Sequence, residues 1–161
     1  MMPQTVRFIT VGSLKESYLR EAAAEYRKRL SGLCRVEEVE LKETRLPDDP
    51  SETDIKKALD AEAKAILAAI PSRAFSIALC VEGKQYNSPE LSRRLEAITA
   101  QTGEVVFIIG SSHGLAPAVK EAAGLRLSVS ELTFPHQLMR VILYETVYRC
   151  YQIEKGTKYH K

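Results

Sequence analysis

The sequence predicts one α/β domain spanning residues 1–161, with a mainly parallel sheet flanked by helices. Three observations predict it. Strand-like apolar runs alternate with helix-period segments from end to end, the pattern of strand–helix–strand units. Two of the runs, Ala74–Val81 and Glu104–Gly110, are continuously apolar, as strands covered on both faces are. No linker, repeat or low-complexity tract divides the chain, whose length suits a single buried core.

Taken in order, Val6–Gly12 is the first strand, closed by glycine. Tyr18, Leu19, Ala22, Ala23, Tyr26 and Leu30 repeat at helical spacing, and Gly32 ends that helix. Val36, Val39 and Leu41 mark a short, partly exposed second strand. Glu43–Pro50, with two prolines, two aspartates and no apolar period, is a loop. Ser51-Glu52-Thr53-Asp54 has the form of a capping box, in which the serine oxygen and the acidic side chain satisfy opposing backbone N–H groups. The helix it opens carries Ile55, Leu59, Ala63, Ile66 and Ile70 on one face and stops at Pro71. After the third strand, Ala74–Val81, Ser88-Pro89 starts a helix that runs to near Gln101. Glu104–Gly110 is the fourth strand, Pro117–Ala123 a short helix, Leu125–Ser130 a fifth strand and Pro135–Ile153 a long final helix.

Composition excludes several classes. No apolar run approaches the ~20 residues that span a bilayer, and Met1–Thr10 lacks the charged-then-apolar pattern of a secretory signal, so a cytoplasmic protein is expected. Cys34, Cys80 and Cys150 are odd in number and widely spaced, with no Cys-x-x-Cys pair. Neither a disulfide framework nor a zinc site is expected, and no metal is assigned. A net charge of +2 does not by itself announce nucleic-acid binding. Acidic residues crowd the first half (Glu37, Glu38, Glu40, Glu43, Asp48, Asp49), whereas the end is basic, with Arg140, Arg149, Lys155, Lys158 and Lys161.

Three constellations could carry chemistry. Gly110-Ser111-Ser112-His113-Gly114 follows a buried strand and precedes a helix, so glycine there lets backbone approach a ligand at the carboxyl edge of the sheet. The same residues match Gly-x-Ser-x-Gly, the nucleophile turn of α/β-hydrolases, with Ser112 as the nucleophile and only Glu131 and His136 as partners. There is no Gly-x-Gly-x-x-Gly after the first strand and no phosphate-binding P-loop; Glu82-Gly83-Lys84 reads as a strand-end turn. In the second constellation, Pro135 forces Phe134 out of helical conformation, so Ser130–Phe134 is a loop at the same edge as Gly110. Two such loops describe a small-ligand pocket, with His136 a base, a cap or a packed histidine. The third is the end of the chain. The final helix is apolar around most of its circumference, which burial against a second subunit would explain. Tyr159, His160 and the lysines can stack on a base and pair with phosphate.

Phe107–Gly110, Gly114-Leu115, Leu132–Val141, Glu145 with Tyr148-Arg149, and the closing Tyr159-His160-Lys161 resemble, in order and spacing, the ribosomal RNA large-subunit methyltransferase H family. These are pseudouridine N3-methyltransferases of the SPOUT class. Length, Val11-Gly12 and Leu79–Lys84 agree with it, so the resemblance covers essentially the whole chain. It implies a C-terminal trefoil knot, a homodimer and S-adenosylmethionine as methyl donor. The donor would be held by Leu79, Gly110, Val129, Ser130, Glu131, Leu132, Thr133 and Phe134. The implied substrate is a pseudouridine of large-subunit ribosomal RNA in the assembled ribosome, contacted by Arg149, Lys158, Tyr159 and Lys161.

His160 or His136 is expected to accept the proton from the imide nitrogen, with His160 ranked first because a tail histidine can reach a flipped-out base. Arg140, Arg149 or a tail lysine is expected to steady the anion or hold phosphate. Two departures stand out: Ser111 occupies a position that is usually glycine, and Lys158 one that is usually proline. A serine hydrolase using Ser112 and a non-catalytic ribosome-binding module are the competing expectations.

Overall fold

The computed structural model describes residues 1–161 as β1 (Thr5–Val11), α1 (Ser17–Ser31), β2 (Arg35–Leu41), α2 (Glu52–Ala69), β3 (Phe75–Lys84), α3 (Ser88–Thr99), β4 (Glu104–Ile109), α4 (Pro117–Ala122), β5 (Leu125–Leu127) and α5 (His136–Glu154). The strands form one sheet in the order β2-β1-β4-β3-β5, and every pairing is parallel. The register sets Phe8 beside Phe107 and Ile9 beside Ile108. Successive side chains on a strand point to opposite faces, and the apolar runs divide accordingly. Val6, Phe8, Ile77, Val105 and Phe107 pack under α1, α3 and α5. Ile9, Val11, Ala78, Val106 and Ile108 pack under α2 and α4. Coverage of both faces is why the central strands read as continuous apolar runs.

Helix ends follow their capping chemistry. Ser51 and Asp54 form the expected reciprocal box, at 3.1 and 3.0 Å. Asn87 and Glu90 form a second one at the start of α3, one residue before the serine that the sequence suggested. The Asn-x-x-Glu spacing was its signal.

Two boundaries differ from expectation at the β3 edge. β3 continues to Lys84, whereas β5 ends at Leu127. Leu127 pairs with both Leu79 and Lys84 across a register shift, and the Ser128 N–H then donates to the Lys84 carbonyl at 2.9 Å. The shift releases residues 80–83 from regular pairing, which leaves Val81 half exposed and frees the chain after Leu127 to turn away.

The apolar circumference of α5 is largely accounted for inside the chain. The helix lies between α1 and α3, burying Leu143, Tyr144, Val147, Cys150 and Tyr151. The buried Ser92 hydroxyl donates to the Cys150 carbonyl at 2.8 Å, and the Tyr151 hydroxyl donates to the Pro3 carbonyl. The Tyr144 ring packs 4.3 Å from Phe8, and its hydroxyl donates to Glu38 Oε1 at 2.7 Å. Burial, then the Glu38 charge, pushes that hydroxyl's pKa far above the usual tyrosine range. The acidic residues of the edge strand β2 thus have partners: Glu38 meets Tyr144 and Arg27, and Glu40 meets Arg140.

Candidate functional site

The carboxyl ends of β3 and β4, together with the connection from β5 to α5, enclose a cavity of about 730 Å³. Its floor is the turn that follows β4. Gly114 closes that turn with φ +87° and donates its N–H to the Ser111 carbonyl at 2.9 Å. Gly110 lies so close under it that a Cβ would stand 2.2 Å from the Gly114 oxygen and 3.0 Å from Leu115 Cδ2. Any side chain at position 110 would force the turn open.

The opposite wall is the loop from Ser128 to Pro135. Its own side chains shape it: the Ser128 hydroxyl donates to the Ser130 carbonyl, and the Leu132 N–H donates to Ser130 Oγ, both at 3.0 Å. The N–H groups of Val129, Ser130, Glu131, Thr133 and Phe134 donate to no acceptor in the protein. A run of free backbone donors beside Leu79, Val81, Ile109, Leu115 and Met139 suits a ligand with one flat apolar part and several hydrogen-bonding atoms.

The structure brings together Leu79, Gly110, Val129, Ser130, Leu132, Thr133 and Phe134 around this cavity, and His136 joins them from the start of α5. Glu131 lies on the same loop but is not among the lining residues. Val81, Glu82, Lys120 and Met139 were not foreseen in the wall, whereas Ser111, Ser112, His113 and Gly114 of the expected turn do line it. Lys120 and Glu82 pair across its rim at 2.5 Å, and that hydrogen bond holds the Glu82 carboxyl below the usual carboxylate range. The apolar run that ended at Val81 hid this segment, because only the register shift turns it toward the cavity.

Arg140, expected beside the reacting atoms, does not line the cavity. It is 7% exposed, donating Nη1 to Glu40 Oε2 and Nη2 to the Gly12 carbonyl, both at 2.8 Å. Its guanidinium is committed to the ends of β1 and β2, so it positions α5. Ser112 makes only a 3.5 Å contact to Glu43 and no hydrogen bond to His136 or Glu131, so no nucleophile–histidine pair is formed.

The tail is docked rather than frayed. The Tyr159 hydroxyl donates to Glu145 Oε1 at 2.8 Å, its ring packs edge-on to Tyr148 at 5.0 Å, and Arg149 lies 4.7 Å over it. Desolvation, then Glu145, pushes the Tyr159 hydroxyl up to about 12. Arg149 also pairs with Glu145 and approaches His160 Nδ1 at 3.3 Å, while Lys158 and Lys161 remain exposed. The tail is therefore anchored thirteen residues along α5 from His136, a separation of about 20 Å at helical rise. Within one chain His160 does not reach the cavity; the Glu145 and Arg149 contacts hold it away.

Fold and site together define an α/β protein with a ligand-sized cavity between two loops at the carboxyl edge of a parallel sheet, the place where such folds take small ligands. Residues 4–160 match the family described as "Predicted SPOUT methyltransferase", and the chain belongs to that family. Relatives named "Ribosomal RNA large subunit methyltransferase H" align over nearly their whole length. Those of Leuconostoc mesenteroides and Streptococcus thermophilus are 46% identical over 97% of this chain and 99% of their own. That of Streptococcus sanguinis is 44% identical over the same shares.

Proposed function

We propose that this chain, as a single domain, transfers a methyl group from S-adenosylmethionine to N3 of a pseudouridine in large-subunit ribosomal RNA, acting on the assembled ribosome in the cytoplasm as a homodimer. The near-full-length likeness to relatives named "Ribosomal RNA large subunit methyltransferase H" supports methyl transfer to large-subunit ribosomal RNA, and the sequence blocks from Phe107 to Lys161 supply the finer reading. No helix is long and apolar enough to cross a membrane. The trefoil knot expected of the C-terminal part belongs to the same proposal.

The residues present fit the donor. Gly110 lets the turn that closes at Gly114 pack tightly beneath the cavity, and the loop 129–134 offers free N–H groups beside an apolar wall. In this reading Leu79, Gly110 and the run Val129, Ser130, Glu131, Leu132, Thr133 and Phe134 hold S-adenosylmethionine, Glu131 through its free backbone N–H. When bound, the donor supplies a sulfonium-activated methyl group. The chain's own task is to align a nucleophile with that group and exclude water.

The pseudouridine imide nitrogen lies between two carbonyls and must lose its proton. His136, at the cavity from the start of α5, is the candidate to take that proton at a ring nitrogen, directly or through one water. His160, Arg149, Lys158, Tyr159 and Lys161 serve the same site only from a second copy whose tail lies over this cavity, which is why the reading includes a homodimer. Arg140 acts by holding α5 and hence His136.

Isothermal titration with S-adenosylmethionine, followed by mass spectrometry of ribosomal RNA after incubation with ribosomes, tests the proposal. Donor binding in the micromolar range and a gain of one methyl on pseudouridine are expected. Absence of donor binding overturns the enzyme reading in favour of a ribosome-binding module, and labelling of Ser112 by a fluorophosphonate would revive the hydrolase.

A further inference from the structure

Beside the donor cavity lies a second, polar one of about 690 Å³, walled by the β1–α1 turn and the segment Glu40–Leu46. Ser112 and His113 line both cavities, so the two are separated only by the turn that carries Gly110. Lys15, Lys42 and Arg45 reach this groove, all three exposed, and none takes part in any ion pair of the molecule. Two carboxylates are also present. Glu40 is engaged by Arg140, and Glu43 turns toward Ser112. The balance is three free cations against one carboxylate.

The backbone that carries these cations is anchored. Thr44, between Lys42 and Arg45, donates its N–H to Glu62 Oε2 at 2.9 Å, and Glu62 is buried in α2. The Lys15 N–H donates to Gln137 Oε1 at 2.9 Å, tying the β1–α1 turn to the start of α5. Exposed cations on fixed backbone, spaced along an open groove, match a chain of phosphates better than a single anion. A nucleotide whose base points at the donor extends its strand away from the cavity on both sides, and this groove offers three cations without ion pairs along one of them.

We propose that the groove holds the sugar–phosphate backbone of the RNA strand flanking the target nucleotide, with Lys15, Lys42 and Arg45 on its phosphates. This rests on the RNA methyltransferase reading above. The test is a Lys42→Gln/Arg45→Gln double variant, compared with wild type for binding of a fluorescent single-stranded RNA oligonucleotide across a salt series. The slope of log affinity against log salt should flatten by ~0.7 for each lost phosphate contact, about 1.4 for the pair. Affinity at low salt should fall roughly tenfold or more, while melting temperature and S-adenosylmethionine affinity stay at wild-type values.

An unchanged slope and affinity overturns the proposal, as does a wild-type protein with no salt-dependent affinity for the oligonucleotide. Normal oligonucleotide binding by a variant that no longer binds ribosomes would assign the groove to a protein contact instead, and equally overturns it. Donor titration and methyl transfer by the wild type, run alongside, report separately on the function itself.

Discussion

Arg140 separates a positioning role from a chemical one, and the structure sets the size of the effect. Replacing it with methionine keeps most of the buried stem and removes two charge-assisted hydrogen bonds, to Glu40 Oε2 and to the Gly12 carbonyl. Such bonds contribute about 1.5–3 kcal/mol each. Glu40 is half exposed and regains water, so its share is discounted, whereas the Gly12 carbonyl loses its charged donor. A net loss of about 2–3 kcal/mol follows. At roughly 2–4 °C per kcal/mol for a chain of this length, the midpoint should drop about 5–10 °C in scanning calorimetry. Arg140→Lys keeps the charge without the two-pronged geometry and should recover part of the loss. Donor affinity should weaken alongside stability, because α5 carries His136 and ends the donor loop. A methionine variant that melts with the wild type and binds the donor normally, yet transfers no methyl group, would refute the reasoning and return Arg140 to the reacting atoms.

Gly110→Ala should lower affinity for S-adenosylmethionine at least about tenfold and destabilise the fold by about 1–3 kcal/mol, since its Cβ overlaps Gly114 backbone; calorimetric titration and melting check both, and wild-type affinity would show that the turn is not the donor floor. On the alkaline side, burial pushes the Cys150 thiol up to about 12, from 9.0. The unfolded chain therefore releases that proton first, and stability falls as pH rises from 9 toward 12, by up to about 1.4 kcal/mol per pH unit. Urea unfolding of wild type and Cys150→Ala at pH 8 and pH 10 should show a steeper loss in the wild type; parallel losses would mean that this thiol does not drive it.

Much of the fold was legible because the central strands are apolar on both faces and the helices carry their own caps. Phe8 and Ile9 follow one another in sequence and enter opposite cores, which a run of apolar letters conveys without saying which core is which. What could not be read lies where pairing geometry overrides pattern. The register shift opposite Leu127 turns Val81 and Glu82 into cavity wall, and no residue type announces a shift. Arg140 looked chemical beside His136 because its partners, Glu40 and the Gly12 carbonyl, are 100 and 128 residues away in sequence. The docked tail was equally hidden: Glu145 and Arg149 pair with each other at helical spacing, and only the folded chain shows Tyr159 closing over both.

The loop proposed to hold the donor acquires its properties from how its two ends are held. At one end the Ser128 N–H is fixed to Lys84 at the sheet edge. At the other, α5 begins with the Met139 N–H on the Pro135 carbonyl, Gln137 on the Lys15 N–H, and Arg140 on Gly12. Gly12 is the point where these constraints meet. Its φ of +90° turns the chain after β1, its N–H donates to the Leu41 carbonyl at 2.8 Å, and its own carbonyl receives Arg140. A Cβ there would stand 3.2 Å from Glu43 Oε2 and 3.7 Å from His136 Nε2. Glycine at this position therefore lets the loop that bears Lys42 and Arg45 close against the residue proposed as proton acceptor. With both ends fixed and five N–H groups between them unspent on the protein, the loop meets a ligand with little left to order. That economy of ordering is what a site needs when its binding energy must go into alignment rather than into folding the loop.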